Sequence, residues 1–203
     1  MKELLIPMSR PRPARRLDAG RGSSVLEMAL ILPVLLFLVF GAITGGMTLD
    51  RHLSALQAVR CAGSMYARGA DFSSLHNKNL LLMGAGGLGI TATSGDGVIY
   101  LSAVVKAAPG TQNQNLLVLA ERYVIGNSSF ESSRIGTPSI VLPNGQVQDY
   151  ENEPSARATL PAAFATIDLN QRIYVVELSY SMAGVGGWTG LFSMDRVYSR
   201  AFF

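Results

Sequence analysis

The chain has 203 residues and a mass of 21.7 kDa, room for one domain of ordinary size plus an accessory segment, which argues against a multidomain enzyme. Hydrophobic residues make up 48% and charged residues 15%, against roughly 25% charged in an average soluble domain, and the mean hydropathy of +0.26 points to a membrane-embedded part. The net charge of +3 is local: six of the 17 basic residues fall in the first 22 positions, and residues 23–203 carry 11 basic and 12 acidic side chains, no footprint for nucleic acid.

Lys2, Arg10, Arg12, Arg15, Arg16 and Arg21 form a basic leader over residues 1–22. After Glu27 come 22 consecutive uncharged residues, Met28 to Leu49, ended by Asp50. As a helix this run would extend ~33 Å, the hydrocarbon thickness of a bilayer, so a transmembrane helix over 28–49 is predicted. Lys and Arg before the span hold the N-terminus in the cytoplasm and send the rest of the chain outside it. No second apolar run of this length follows, so the protein is expected to span once. A removable secretory signal has an apolar core of about 7 to 15 residues, shorter than this one.

The junction reads Arg21-Gly22-Ser23-Ser24-Val25-Leu26-Glu27-Met28-Ala29-Leu30-Ile31-Leu32-Pro33. A glycine followed five positions later by a glutamate, at the head of an apolar helix behind a basic leader, resembles the processing site of a type IV prepilin. A residue without Cβ permits extended backbone and close approach in a peptidase cleft. Glu27 through Pro33, the apolar stretch and Gln57-Ala58-Val59-Arg60-Cys61-Ala62 resemble the TadE/TadF-like minor pilins, or pseudopilins, of the tight-adherence (Tad/Flp) pilus system. The resemblance extends to the closing segments Val175 to Met182 and Val197 to Phe202. Ser23 in place of a bulky apolar residue, and Met28 where the major Flp pilin has tyrosine, point to an accessory subunit, as does the length.

The resemblance implies cleavage after Gly22 by a prepilin peptidase, a new amino group on Ser23, and a Glu27 carboxylate that compensates such an amine inside an apolar array. It implies an inner-membrane location with the C-terminal domain periplasmic. The partners it brings are the peptidase, other major and minor pilin subunits and an inner-membrane assembly platform; the span itself brings the lipid bilayer. The resulting organisation is a leader (1–22), a pilin-like helix (23–69) and an extracytoplasmic domain (70–203).

Pro33 removes one backbone hydrogen bond, which membrane helices tolerate. Gly41 and Gly45 are four apart, as are Ala42 and Gly46, a spacing of small residues that admits a second helix. Beyond Asp50 an amphipathic continuation to Arg68 is predicted, with Leu49, Leu53, Leu56, Val59, Gly63 and Tyr66 as its apolar stripe and Cys61 packed on the outer domain. Asp71-Phe72-Ser73-Ser74 is expected to cap a short helix reaching Met83. Residues 88–93 and 98–105 flank Ser94-Gly95-Asp96-Gly97 and are predicted to form a hairpin. Further strands are expected at 116–125, 173–182 and 196–203, with long surface loops and short strands over 127–170. An α+β fold follows, an antiparallel sheet packed on the long helix.

Several chemical leads fail on context. Gly84-Ala85-Gly86-Gly87-Leu88-Gly89 matches GxGxxG, but a strand is expected after it where a dinucleotide site needs a helix. His52 and His76 lack a spaced metal-ligand partner, and Cys61 is the only cysteine, so neither a zinc site nor a catalytic triad is supported. Asp149, Glu151 and Glu153 fit a solvated loop better than a calcium site. Trp188, in a glycine-rich loop, is a candidate contact for a neighbouring subunit or a core plug. No catalysis and no cofactor are expected. The rival to the pilin reading is a signal-anchored binding or sensor module that keeps its leader.

Overall fold

Leu, Ile, Met and Ala in an unbroken apolar run favour helix. The computed structural model, which describes residues 20–169, 171–182 and 196–203, has helix α1 at Gly20–Ala67, passing through Pro33. The chain divides into two units, one ending at Ala42 and the other running from Ile43 to Phe203. In the first unit, the described residues are the N-terminal half of α1 alone.

The second unit is α+β. The rest of α1 leads into α2 (Leu75–Gly84) and strands β1 (Gly97–Lys106), β2 (Leu117–Gly126), β3 (Arg172–Ser181) and β4 (Arg196–Phe202). The four strands form one antiparallel sheet in the order β2-β1-β3-β4. Side chains alternate across it. Ile99, Leu101, Ala103, Val176, Leu178 and Tyr180 join Ala55, Ala58, Val59, Ala62 and Tyr66 of α1, with Leu81 of α2, in the larger core. Val104, Leu119, Ile173 and Val175 face a smaller core with Ile135, Val147 and Ala156.

That second core corrects the expectation of surface loops over 127–170. Part of the segment forms a layer over the far face of the sheet, which is why β1 is buried at eight consecutive positions. It also closes the outer edge of β2: Arg122 N donates to Gly145 O at 2.6 Å, Val147 N to Ala120 O at 2.9 Å and Ala158 N to Leu117 O at 2.8 Å. Two short 3-10 turns, Pro154–Ala156 and Ala162–Phe164, are its helical pieces among the described residues.

The predicted hairpin is wrong in its first arm. β1 is central, with β2 on one edge and β3 on the other, so no edge is left for residues 88–93. Ile90 makes only an isolated bridge to Gly95, while Leu88 plugs the larger core. Long-range pairing with two buried partners outweighs a good local turn.

The apolar stripe of α1 is buried as expected at Val59, Gly63 and Tyr66 but differs at its start and gains an alanine face. Leu49 and Leu53 are 59% and 49% exposed, whereas Ala55, Ala58 and Ala62 are fully or almost fully buried. Small side chains bring a helix axis closest to a sheet, so the alanine face wins the contact. Cys61 is exposed, contrary to expectation, because it lies one residue, about 100° of helix rotation, off the buried Ala62. Its Sγ lies 3.8 Å from Met65 Sδ on the helix surface.

Gly63 is where the last residue closes over α1. A Cβ on Gly63 would sit inside the Phe203 ring, whose backbone exchanges hydrogen bonds with Tyr174 at 2.9 and 3.0 Å. Gly63→Ala is therefore expected to cost ~1–3 kcal/mol by overpacking, a few degrees of melting temperature for a chain this size. Adding Phe203→Ala should recover most of that loss. Thermal unfolding of the purified full chain checks both, and an unchanged midpoint for Gly63→Ala would contradict the contact.

Candidate assembly surface on the N-terminal helix

Helix α1 begins at Gly20, so the backbone at Gly22 and Ser23 lies in its first turn. The first four N–H groups of a helix lack intrahelical acceptors, and each glycine there costs about 1 kcal/mol of helix propensity against alanine. The backbone at this junction is thus the most easily drawn out of the helix. Glu27 follows two turns in, solvent-exposed.

Beyond it, every large apolar side chain from Val25 to Phe40 stands between 43% and 70% exposed. A helix that is apolar all round is a core helix or a membrane span. This one has no core around it: its most apolar 18-residue window has a mean hydropathy of 2.5 and none of it is buried. Length and composition suffice to cross a bilayer. Each of these side chains left in water would forgo roughly 1.5–3 kcal/mol of burial, which favours an apolar surrounding for this helix.

Pro33 lies within the exposed stretch. At Gly41, Gly45 and Gly46, a Cβ would meet nothing within 4 Å, so among the described residues these glycines are not small to suit a contact within the chain. Thr48 turns its hydroxyl inward, donating to Thr44 O at 2.8 Å, which satisfies a polar group without water. Trp188, the other residue expected to make contacts, lies outside the described residues.

The remaining leads have structural roles. Gly84–Gly89 follows the end of α2, where Ala85 N donates to Leu81 O and Leu82 O, so the glycines close a helix and do not open one. His52 Nδ1 lies 3.5 Å from the Tyr180 hydroxyl. Glu153 accepts from the Ser155 hydroxyl and from Ser139 N, which holds its carboxyl below the usual range, Ser139 being the larger cause. Among the described residues, no group of three or more His, Cys, Asp or Glu side chains could hold a metal ion.

Two polar clusters escaped the sequence reading. Glu177 on β3 is 1% exposed and accepts from Ser133 Oγ at 2.5 Å, Arg134 N at 2.9 Å and the Tyr198 hydroxyl at 2.7 Å. Beside it Arg122 is 5% exposed, donating to Ser102 Oγ at 3.1 Å and Gly136 O at 2.6 Å; burial lowers its pKa and the Glu177 charge opposes that. The second cluster is centred on Tyr66, whose hydroxyl donates to Glu121 Oε2 at 3.1 Å. Burial first, then the Glu121 charge, pushes the Tyr66 phenol far above its ordinary range. Glu and Arg within β-strands were the available signal, since a charge in a strand with both faces covered needs a partner.

Comparison with known proteins finds a similarity in the helix. The family model described as TadE-like protein matches residues 22–63, from the junction to the closely packed Gly63. Residues 22–63 are thus similar to the TadE-like family, and the match does not extend to the rest of the chain. No curated protein and no solved structure matches the chain.

Proposed function

We propose that the chain, with its TadE-like helix, is a minor pilin-like subunit for assembly of a tight-adherence pilus. Residues 1–22 are the leader, a prepilin peptidase cuts between Gly22 and Ser23, residues 28–49 anchor the chain, and residues 70–203 lie outside the cytoplasm. The basic leader supports this orientation, since Lys and Arg stay on the cytoplasmic side. The observation that carries the reading is the all-round exposure of apolar side chains along the segment that matches the family.

Assembly then works by exchange of surroundings. In the bilayer the apolar side chains of α1 meet lipid; in the assembly they meet other pilin helices, with Gly41, Gly45 and Gly46 admitting close approach. Without Cβ atoms at these positions, partner backbones gain dispersion contacts that lipid tails supply less well. The platform and the other major and minor pilins are the partners, and no catalytic step is assigned to the chain.

A photo-crosslinking residue at Leu38, 69% exposed, tests this in cells that carry the pilus machinery. Adducts with another pilin subunit are expected. Adducts with lipid alone would contradict the reading and leave α1 as a plain anchor.

A further inference from the structure

Away from α1's membrane-facing half, an open cleft of about 380 Å³ lies where the end of α1, the turn before α2, β2, β3 and the 144–146 loop meet. That size is within the range of small-molecule sites. The half-buried rings of Tyr123 and Tyr174 line it, both in edge contact with Tyr66, at 5.8 and 4.9 Å between centroids. The register of β1 and β2 shifts between Ala103 and Val104, inserting Ala120 as a bulge and aiming Glu121 into the same space.

The charges in the cleft are already answered. Arg172 Nη1 holds Glu121 Oε1 at 2.8 Å, and Tyr66 donates to the other oxygen. Asp71 accepts from the Ser73 hydroxyl at 2.7 Å and its amide at 2.8 Å, and these hydrogen bonds, the hydroxyl's first, hold the carboxyl below its usual range. A strongly charged ligand would find no unanswered partner. Neutral hydrogen-bonding capacity, in contrast, is unspent. Asn144 uses its Oδ1 on Gln146 N and its backbone carbonyl on the Tyr123 hydroxyl, leaving Nδ2 free among the described residues. The Gln146 side-chain amide is exposed and bonds nothing among them, and the second oxygen lone pairs of Glu121 and the outer N–H groups of Arg172 remain available.

We propose that this cleft binds a neutral saccharide, its apolar C–H face against Tyr123 and Tyr174 and its hydroxyls on Asn144, Gln146, Glu121 and Arg172. Hydroxyls both donate and accept, which suits an amide pair beside a compensated carboxylate and guanidinium, and a sugar ring offers an apolar face to the tyrosines. The site goes beyond the assembly role and does not depend on it.

Saturation-transfer NMR with the full chain in lipid nanodiscs tests the assignment, using glucose, galactose, mannose and N-acetylglucosamine at millimolar concentration against empty nanodiscs. At least one sugar should receive saturation from the protein. Its affinity should fall about threefold to tenfold in Gln146→Ala, the loss of a hydrogen bond or two, with no change in thermal midpoint. The exposed His76→Ala on α2, outside the cleft, should match the wild type. Transfer to none of the four sugars, or full affinity in Gln146→Ala, would overturn the proposal. So would transfer to a charged tripeptide in place of the sugars.

Discussion

Glu177→Ala is expected to destabilise the second unit by ~3–5 kcal/mol, a large part of the 5–15 kcal/mol that holds a typical domain. Three donors, the buried Ser133 Oγ and the partly buried Arg134 N and Tyr198 hydroxyl, converge on this carboxylate, and its truncation leaves all three without this acceptor. It also removes the charge facing the buried Arg122, whose Nη2 has no hydrogen-bond partner among the described residues. Burial and, next, the hydrogen bond to Glu177 hold the Tyr198 phenol well above its ordinary range, so Tyr198 remains a donor at any pH the fold survives. Tyr198→Phe, which removes one donor together with its bond, should cost only ~1 kcal/mol. Urea unfolding of the full chain reads both. A loss under ~1 kcal/mol for Glu177→Ala would mean that the layer formed by residues 127–168 does not depend on this carboxylate.

Glu27→Gln is expected to leave membrane insertion and leader removal intact and to abolish surface fibres. Ser23 and Glu27 are four residues apart on α1, hence on one helix face, so the carboxylate can serve the amine that cleavage creates on its own chain or on a staggered neighbour. Glutamine keeps the size and removes the charge. Inside a packed array of apolar helices, loss of one member of a buried ion pair costs ~3–5 kcal/mol, more than a hundredfold in an assembly equilibrium, against under ~1 kcal/mol for an exposed pair. Counting surface fibres made with a fully processed Gln variant separates the two. A wild-type count would make Glu27 a headgroup-solvated helix charge, favourable only against the helix dipole.

The parts of this architecture written in local periodicity were legible in the sequence. Helix α1 ends at Ala67, one residue from the expected Arg68, and β2, β3 and β4 fall within a residue of their predicted limits. Features set by distant segments were not legible. The spacing of the apolar stripe placed Val59, Gly63 and Tyr66 correctly on the buried face, yet the sheet also selected Ala55, Ala58 and Ala62 and left Leu49 and Leu53 exposed, since contact distance favours small side chains over large ones. The second arm of the expected hairpin was right and the first was lost, because β1's neighbours come from 117–126 and 172–181. Residues 127–170 looked like loops with short strands from their prolines and polar residues. Their few apolar members, Ile135, Val147 and Ala156, cover a sheet face without regular strands, a pattern with no period to read. Gly22, Ser23 and Glu27 lie within six residues and so can be read together as a pattern, whereas the lining of the cleft comes from four separated segments.

If the chain is a prepilin-type substrate whose helix α1 is released from its leader for assembly, its mature N-terminus must show the cut. Mass spectrometry of the protein made in cells with its cognate prepilin peptidase should find a chain of residues 23–203, beginning at Ser23. Gly22→Val should keep residues 1–22 attached, because a β-branched side chain adds bulk and stiffness at the scissile position. A wild-type chain that retains its leader beside an active peptidase would contradict the account and favour a signal-anchored sensor.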